Sequence, residues 1–197
     1  MKDVATRVVI AGTSGGVGTT TVTALLFDAR RSEPQGAPRL FDHAGGDLGS
    51  RLAEGDDAPI LHETVGLHDL GPHARVEGVA LLADPSVILV VVAPATPAGC
   101  SAAEAVLADI SARYSATGLS RTLVAFVGTF GRHRIAARVE QLQNRFGRRK
   151  VVVFAQDEFL AAGGRVPLAR LSPASRRAQA ELAAFLREVL SLRGARD

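Results

Sequence analysis

Gly12, Gly15, Gly16 and Gly18 stand within seven residues of one another, in the run GTSGGVGTTT of residues 12–21. Glycines at that density let backbone N–H groups close around an anion. A helix opening at Thr19 would turn the positive end of its dipole on the same ligand. The chemistry such a loop could do is phosphate binding. The plainer reading is a tight strand-to-helix turn with no ligand, and four glycines in seven residues argue against it.

Two ligand classes fit the run. Gly12, Gly16 and Gly18 give G-x-x-x-G-x-G, a dinucleotide-type spacing, with Asp42 about where a ribose-binding acid is expected. Hydride transfer of that kind needs a tyrosine and a lysine four positions later. The one tyrosine is Tyr114, position 118 is glycine, and the chain's two lysines, Lys2 and Lys150, are remote. A dinucleotide could bind, but its carbonyl chemistry has no acid. The second class, a nucleoside di- or triphosphate, fits over a longer stretch, as described below.

Other constellations carry less. His62, His68 and His73 lie close to Glu63 and Asp69 at no recognisable zinc spacing. Cys100 has no base or orienting partner in the sequence and is expected to pack at a helix start. Arg132, Arg134, Arg138, Arg145, Arg148, Arg149 and Lys150 form a basic stretch against one acid, Glu140, with His133 among them. Such a stretch suits non-specific DNA, bound through its phosphates, or an acidic protein partner. Phe130 and Phe146 read as core rather than as base-stacking residues.

The elements that must position these residues follow from apolar runs alternating with helical patterns. Strands are expected over 4–11, 39–41, 64–68, 87–92, 121–127 and 151–154. Helices are expected over 19–29, 74–82, 100–114, 132–146 and 173–192, and 43–59 reads mostly as loop. The run VILVVV at 87–92 lacks alternation, as befits a strand covered on both faces of a parallel sheet. The alternation predicts a three-layer α/β fold, a mostly parallel sheet flanked by helices, in a single domain spanning residues 1–197. The last helix collects Leu182, Phe185, Leu186, Val189 and Leu190 on one face, which suits core packing better than a membrane anchor.

Composition narrows the classes further. Apolar residues make up 47% and charged residues 22% of 197, which excludes a disordered chain, a coiled coil and a collagen-like repeat. No apolar run approaches the roughly 18 residues that span a bilayer. The polar opening predicts no leader peptide, and a single cysteine suits the cytoplasm. The net charge of +3 hides an asymmetry: residues 1–100 carry 7 basic and 12 acidic residues, residues 101–197 carry 16 and 8. The second half is therefore the half expected to meet an acidic partner.

Residues 14–21, SGGVGTTT, resemble the deviant Walker A loop KGGVGKTT of the ParA/MinD family of P-loop ATPases. The resemblance continues through Leu40-Phe-Asp42 at switch I, His68-Asp-Leu-Gly-Pro72 at switch II, the strand, loop and helix of 86–102, and the C-terminal loop and helix of 161–186. It implies a P-loop NTPase-like fold and a nucleotide held by Ser14, Gly15, Gly16, Val17, Gly18, Thr19, Thr20 and Thr21. It also implies Mg²⁺ at Thr20, Asp42 and Asp69, with Asp42 as the one candidate catalytic acid.

The departures from the family bear on turnover. Both signature lysines are gone, replaced by Ser14 and Thr19, and Ala44 stands where a second switch I carboxylate is usual. Asp69 follows Asp42 by 27 positions, which leaves little room for the family's intervening helical segment and its nucleotide-sandwich dimer. The base-recognition region reads VGTFG at 127–131. His43 and His73, at the two switches, could supply part of the missing cationic charge, and Arg51 is a candidate substitute for lysine.

The resemblance with these departures implies a degenerate bacterial member, a pseudo-ATPase acting as a binding, positioning or regulatory factor. Relatives serve chromosome or plasmid partitioning, division-site placement, and secretion or pilus machine assembly. ATP or ADP with Mg²⁺ would be held weakly, or not at all. A slow, partner-stimulated Mg-ATPase is the alternative, and a dinucleotide-binding module the third. The partners expected are a protein, non-specific DNA at the basic stretch and a second copy in a homodimer, with no integral membrane segment.

Overall fold

The computed structural model describes residues 6–31, 37–45, 48–52, 65–129 and 135–194. Six strands form one sheet in the order β2-β3-β1-β4-β5-β6, and all five pairings are parallel. They are β1 (Thr6–Gly12), β2 (Arg39–Asp42), β3 (Val65–Asp69), β4 (Val87–Pro94), β5 (Thr122–Thr129) and β6 (Val151–Ala155). The helices are α1 (Thr19–Arg31), α2 (Leu48–Arg51), α3 (Val79–Leu81), α4 (Pro97–Ser120), α5 (Ala136–Phe146), α6 (Glu158–Ala161) and α7 (Pro173–Gly194).

The strand pleat sends alternate residues to opposite faces. Val8 and Ile10 of β1 join Val22, Leu25 and Leu26 of α1 and Leu182 and Leu186 of α7 in one buried cluster. Val9 and Ala11 join Val79 of α3, Val106 and Ile110 of α4 and Val139 and Leu142 of α5 in the other. The result is three layers, with β4 in the sheet interior and every residue before Pro94 buried. Parallel strands need crossovers, and crossover helices cover both faces, so β4 is apolar throughout.

Three elements differ from the sequence expectation. Within the expected helix 74–82, Ala74–Gly78 is a π-helical turn and only Val79–Leu81 is α-helical. Gly78 presses on the sheet there: a Cβ on it would lie 3.1 Å from Leu89 Cδ1, and the widened turn lets the backbone approach. The α4 helix starts earlier than expected, at Pro97, because Thr96 caps it by accepting the Gly99 N–H at 3.0 Å. It runs on to Ser120 across a break at Ser115, whose φ is 52°. The stretch read as loop also contains α2, anchored by buried Leu48. Among the described residues no helix is long and apolar enough to cross a membrane.

Candidate functional site

The C-terminal ends of β1, β3 and β4 meet at the glycine-rich run. The Gly12 N–H donates to the Gly71 carbonyl at 2.6 Å and the Thr13 N–H to Val92 at 2.8 Å, so the loop is tied to both flanking strands before it turns. Gly12 is required by crowding, since a Cβ there would lie 2.8 Å from both Thr19 Oγ1 and Val17 Cγ2. Gly18 is required by conformation: its φ is 92° and a Cβ would meet Val127 Cγ1 at 3.2 Å. Ser14, Gly15 and Gly16 form the exposed crown, whereas Val17, Thr19 and Thr21 are buried beneath it.

α1 begins at Thr19, and in any helix the first-turn N–H groups, here those of Thr19, Thr20 and Thr21, lack intrahelical acceptors. With the dipole they offer an anion roughly half a positive charge. No basic side chain lies within residues 12–21. The attraction that the run itself offers is therefore that of backbone N–H groups and hydroxyls.

Opposite this loop stands Asp69, at the end of β3 with 0% exposure. One carboxylate oxygen, Oδ1, accepts the Gly71 N–H at 2.9 Å. Among the described residues no hydrogen bond of acceptable geometry reaches buried Oδ2, nor the buried Thr13 hydroxyl in the loop itself. Burial pushes the Asp69 pKa up and is the largest influence on it. The Gly71 N–H and the nearby Thr20 hydroxyl pull it back, Asp42 adds to the rise and His43 opposes it. A buried carboxylate oxygen left bare beside a hydroxyl is a donor set that suits a hard cation such as Mg²⁺.

Asp42 is the register partner of Asp69 one strand outward, and Ile10 its partner one strand inward. Asp42 is exposed, and its Oδ1 accepts the Ala44 N–H at 3.0 Å. The fold thus brings Thr20, Asp69 and Asp42 to one end of the sheet, with Thr20 and Asp69 in mutual electrostatic contact. No group of three or more His, Cys, Asp or Glu side chains among the described residues is arranged to hold a metal.

The histidines are grouped differently from the sequence expectation. His73 faces Glu77, with Nδ1 3.5 Å from Oε1. His43 instead meets His68, Nε2 to Nδ1 at 2.9 Å, and Phe41 stacks on His68 at a centroid distance of 4.4 Å. The His68 pKa is lowered to about 4, first by burial and then by the charges of His43 and Arg7. Alternation would have put Phe41 and His68 on one sheet face had the pairing of β2 with β3 been known. His62 and Glu63 lie outside the described residues.

The other candidates are engaged elsewhere. Arg51 donates to the Leu160 carbonyl at 3.3 Å. Cys100 is fully buried, and burial raises its thiol pKa, so it packs rather than reacts. In the basic stretch, Arg138 donates to Pro97 O and Ser101 Oγ, Arg149 pairs with Glu188, and Lys150 donates to Leu119 O. Arg145 and Arg148 are exposed and make no ion pair among the described residues, while Arg132, Arg134, His133 and Phe130 lie outside them. No protein-family model matches the chain, and no curated protein matches it.

Proposed function

We propose that the protein is a degenerate ParA/MinD-type P-loop protein. It binds ATP or ADP as the Mg²⁺ complex and serves as a positioning or regulatory factor for a protein partner, without efficient turnover. The observation that carries this reading is the pairing of a glycine-rich backbone cradle, with no basic residue within 12–21, and the buried Asp69 Oδ2, which accepts no hydrogen bond of good geometry among the described residues. Mg²⁺ would supply positive charge to neutralise the phosphates. Thr20 and Asp69 would hold it, with Asp42 as a further carboxylate at the same end of the sheet. The N–H groups of residues 14–21 would orient the phosphates.

Magnitudes decide against fast hydrolysis. A helix dipole contributes about 0.3–1 kcal/mol to an anion, whereas one lost transition-state contact costs about 2.7–4 kcal/mol. Two missing lysines outweigh what the backbone supplies. A partner-stimulated ATPase would take its arginine from the partner or from Arg51, whose guanidinium makes one 3.3 Å hydrogen bond to the Leu160 carbonyl.

Strand order favours a nucleotide over a dinucleotide. The common dinucleotide-binding order is 3-2-1-4-5-6, which puts the ribose acid on the strand beside β1. Here β3 occupies that place and Asp42 lies two strands out, about 10 Å from β1. DNA bound through all seven basic residues of 132–150 would show a salt slope of about −6.

The test is thermal stability with millimolar Mg-ATP, Mg-ADP or NADH. A ligand at 100 times its dissociation constant adds about 2.7 kcal/mol, a rise of roughly 5–10 °C at this size. A rise with the adenine nucleotides and none with NADH is expected. A rise with NADH alone overturns the reading, and no rise with any ligand makes the loop a relic.

A further inference from the structure

β2 is four residues long, lies at the sheet edge and exposes Arg39, Phe41 and Asp42. A strand so short has little of its own to hold Asp42 in place. At its end His43 makes two bonds to β3. Its backbone N–H donates to the Asp69 carbonyl at 2.9 Å, and its ring Nε2 lies 2.9 Å from His68 Nδ1.

The ring geometry defines what this pair can do. The two imidazoles are parallel within 4° with centroids 5.2 Å apart. That separation equals the 2.9 Å contact plus two ring radii, so the contact runs edge to edge in the plane of both rings. The lone pair of one nitrogen faces the other head-on, which suits one shared proton. A zinc ion at about 2.0–2.1 Å from each nitrogen would need them about 3.3 Å apart at a tetrahedral angle, so there is no room for it. Phe41 lies over His68 within 8° of parallel. Gly66 admits both rings: a Cβ there would stand 3.0 Å from His68 Nε2 and 3.1 Å from Phe41 Cε2.

We infer that the in-plane His43–His68 hydrogen bond is a latch between the two switch strands, with both histidines acting as positioning residues that fix Asp42 against Asp69. His43 directly follows Asp42 and His68 directly precedes Asp69, and those two aspartates are register partners. Each end of the latch is thus one residue from a carboxylate. His43 is exposed and Phe41 is 37% exposed, so the assembly adds little to the core, and its loss loosens one sheet corner. The role assigned to the aspartates rests on the cation reading above; the latch itself does not.

The experiment uses the whole chain and two readouts. Amide hydrogen exchange at His43 is compared between the wild type and His68→Phe, which keeps a ring against Phe41 and removes the nitrogen. Faster exchange by about tenfold at residues 42–44 with an unchanged melting temperature is expected; unchanged exchange overturns the latch. Mn²⁺ affinity, read by its paramagnetic signal in the presence of ATP, should fall about tenfold in His43→Ala and recover in His43→Gln, whose amide can donate to His68. Equal affinity in His43→Ala overturns the positioning role while leaving the latch. A wild type that binds no Mn²⁺ overturns the cation reading and the positioning role together, and the exchange data still decide the latch.

Discussion

Asp69→Asn removes a charge that the fold holds at a loss. The side chain is fully buried, one oxygen accepts the Gly71 N–H, and the other has no well-formed hydrogen bond among the described residues, with the nearby Thr20 hydroxyl to offset its charge. Leaving a buried polar group unsatisfied costs about 1–3 kcal/mol, and more when it is charged. Asparagine has the same shape, keeps an oxygen for Gly71 and carries no charge. The ligand-free variant should therefore be more stable by about 1–2 kcal/mol, a rise in Tm of roughly 2–8 °C. The pH dependence has a defined sign. Burial holds the folded pKa above the ordinary 3.8, so the penalty is absent below that value, grows as pH climbs through the raised folded pKa, and is complete above it. Calorimetry of both proteins at pH 7 and at acid pH, with and without Mg-ATP, reads each part. The gain should vanish in acid, and Mg-ATP should stabilise the wild type alone. A ligand-free variant less stable than wild type at pH 7 would refute the buried-charge reasoning. An equal Mg-ATP shift in both would refute the role at the site.

Three further outcomes follow from the same coordinates. Gly18→Ala forces a side chain into φ 92° and to 3.2 Å from Val127, so thermal melting should show a loss of about 1–3 kcal/mol and no nucleotide shift. Arg121 donates to the carbonyls of Asp84 at 2.8 Å, Val87 at 2.9 Å and Leu82 at 2.8 Å; Arg121→Ala leaves that turn uncapped and should lower urea stability by about 2–4 kcal/mol. Because the fold holds the His68 pKa at about 4, stability is complete above pH 6.5 and declines as pH falls from 6.5 to 4. The decline is about 1–2 kcal/mol after allowing for solvent screening, and denaturation profiles of His68→Phe should lack it.

The strands were legible because their apolar runs are. VILVVV at 87–92 and VVVF at 151–154 fall inside β4 and β6, and the glycine run sits at the expected junction of β1 with α1. What the sequence could not supply is which strand lies beside which. β3 between β1 and β2 places Asp69, rather than Asp42, against the loop, and it creates the His43–His68 contact across 25 positions. Pairing of that kind is a tertiary fact with no local signal. The π-helical turn was equally hidden; its Gly78 lies close to Leu89, a residue of another element. In the basic stretch, Arg138, Lys150 and Arg149 donate to Pro97, Leu119 and Glu188, partners that the sequence alone does not show.

If the proposed reading holds, the same strand order gives a loop without lysines a way to hold a nucleotide. In the proposed site the remaining charges are two carboxylates at one end of the sheet and the partial positive charge of α1. A free triphosphate would meet repulsion from Asp69 and Asp42 with only backbone dipoles in compensation. A divalent cation would reverse that balance, since it would meet the buried Asp69 carboxylate and neutralise the phosphates at once. The chain would then read the cation and the nucleotide as a single ligand, with each bound only alongside the other. That suits a protein whose output is a bound or unbound state, because occupancy can report nucleotide supply without a chemical step.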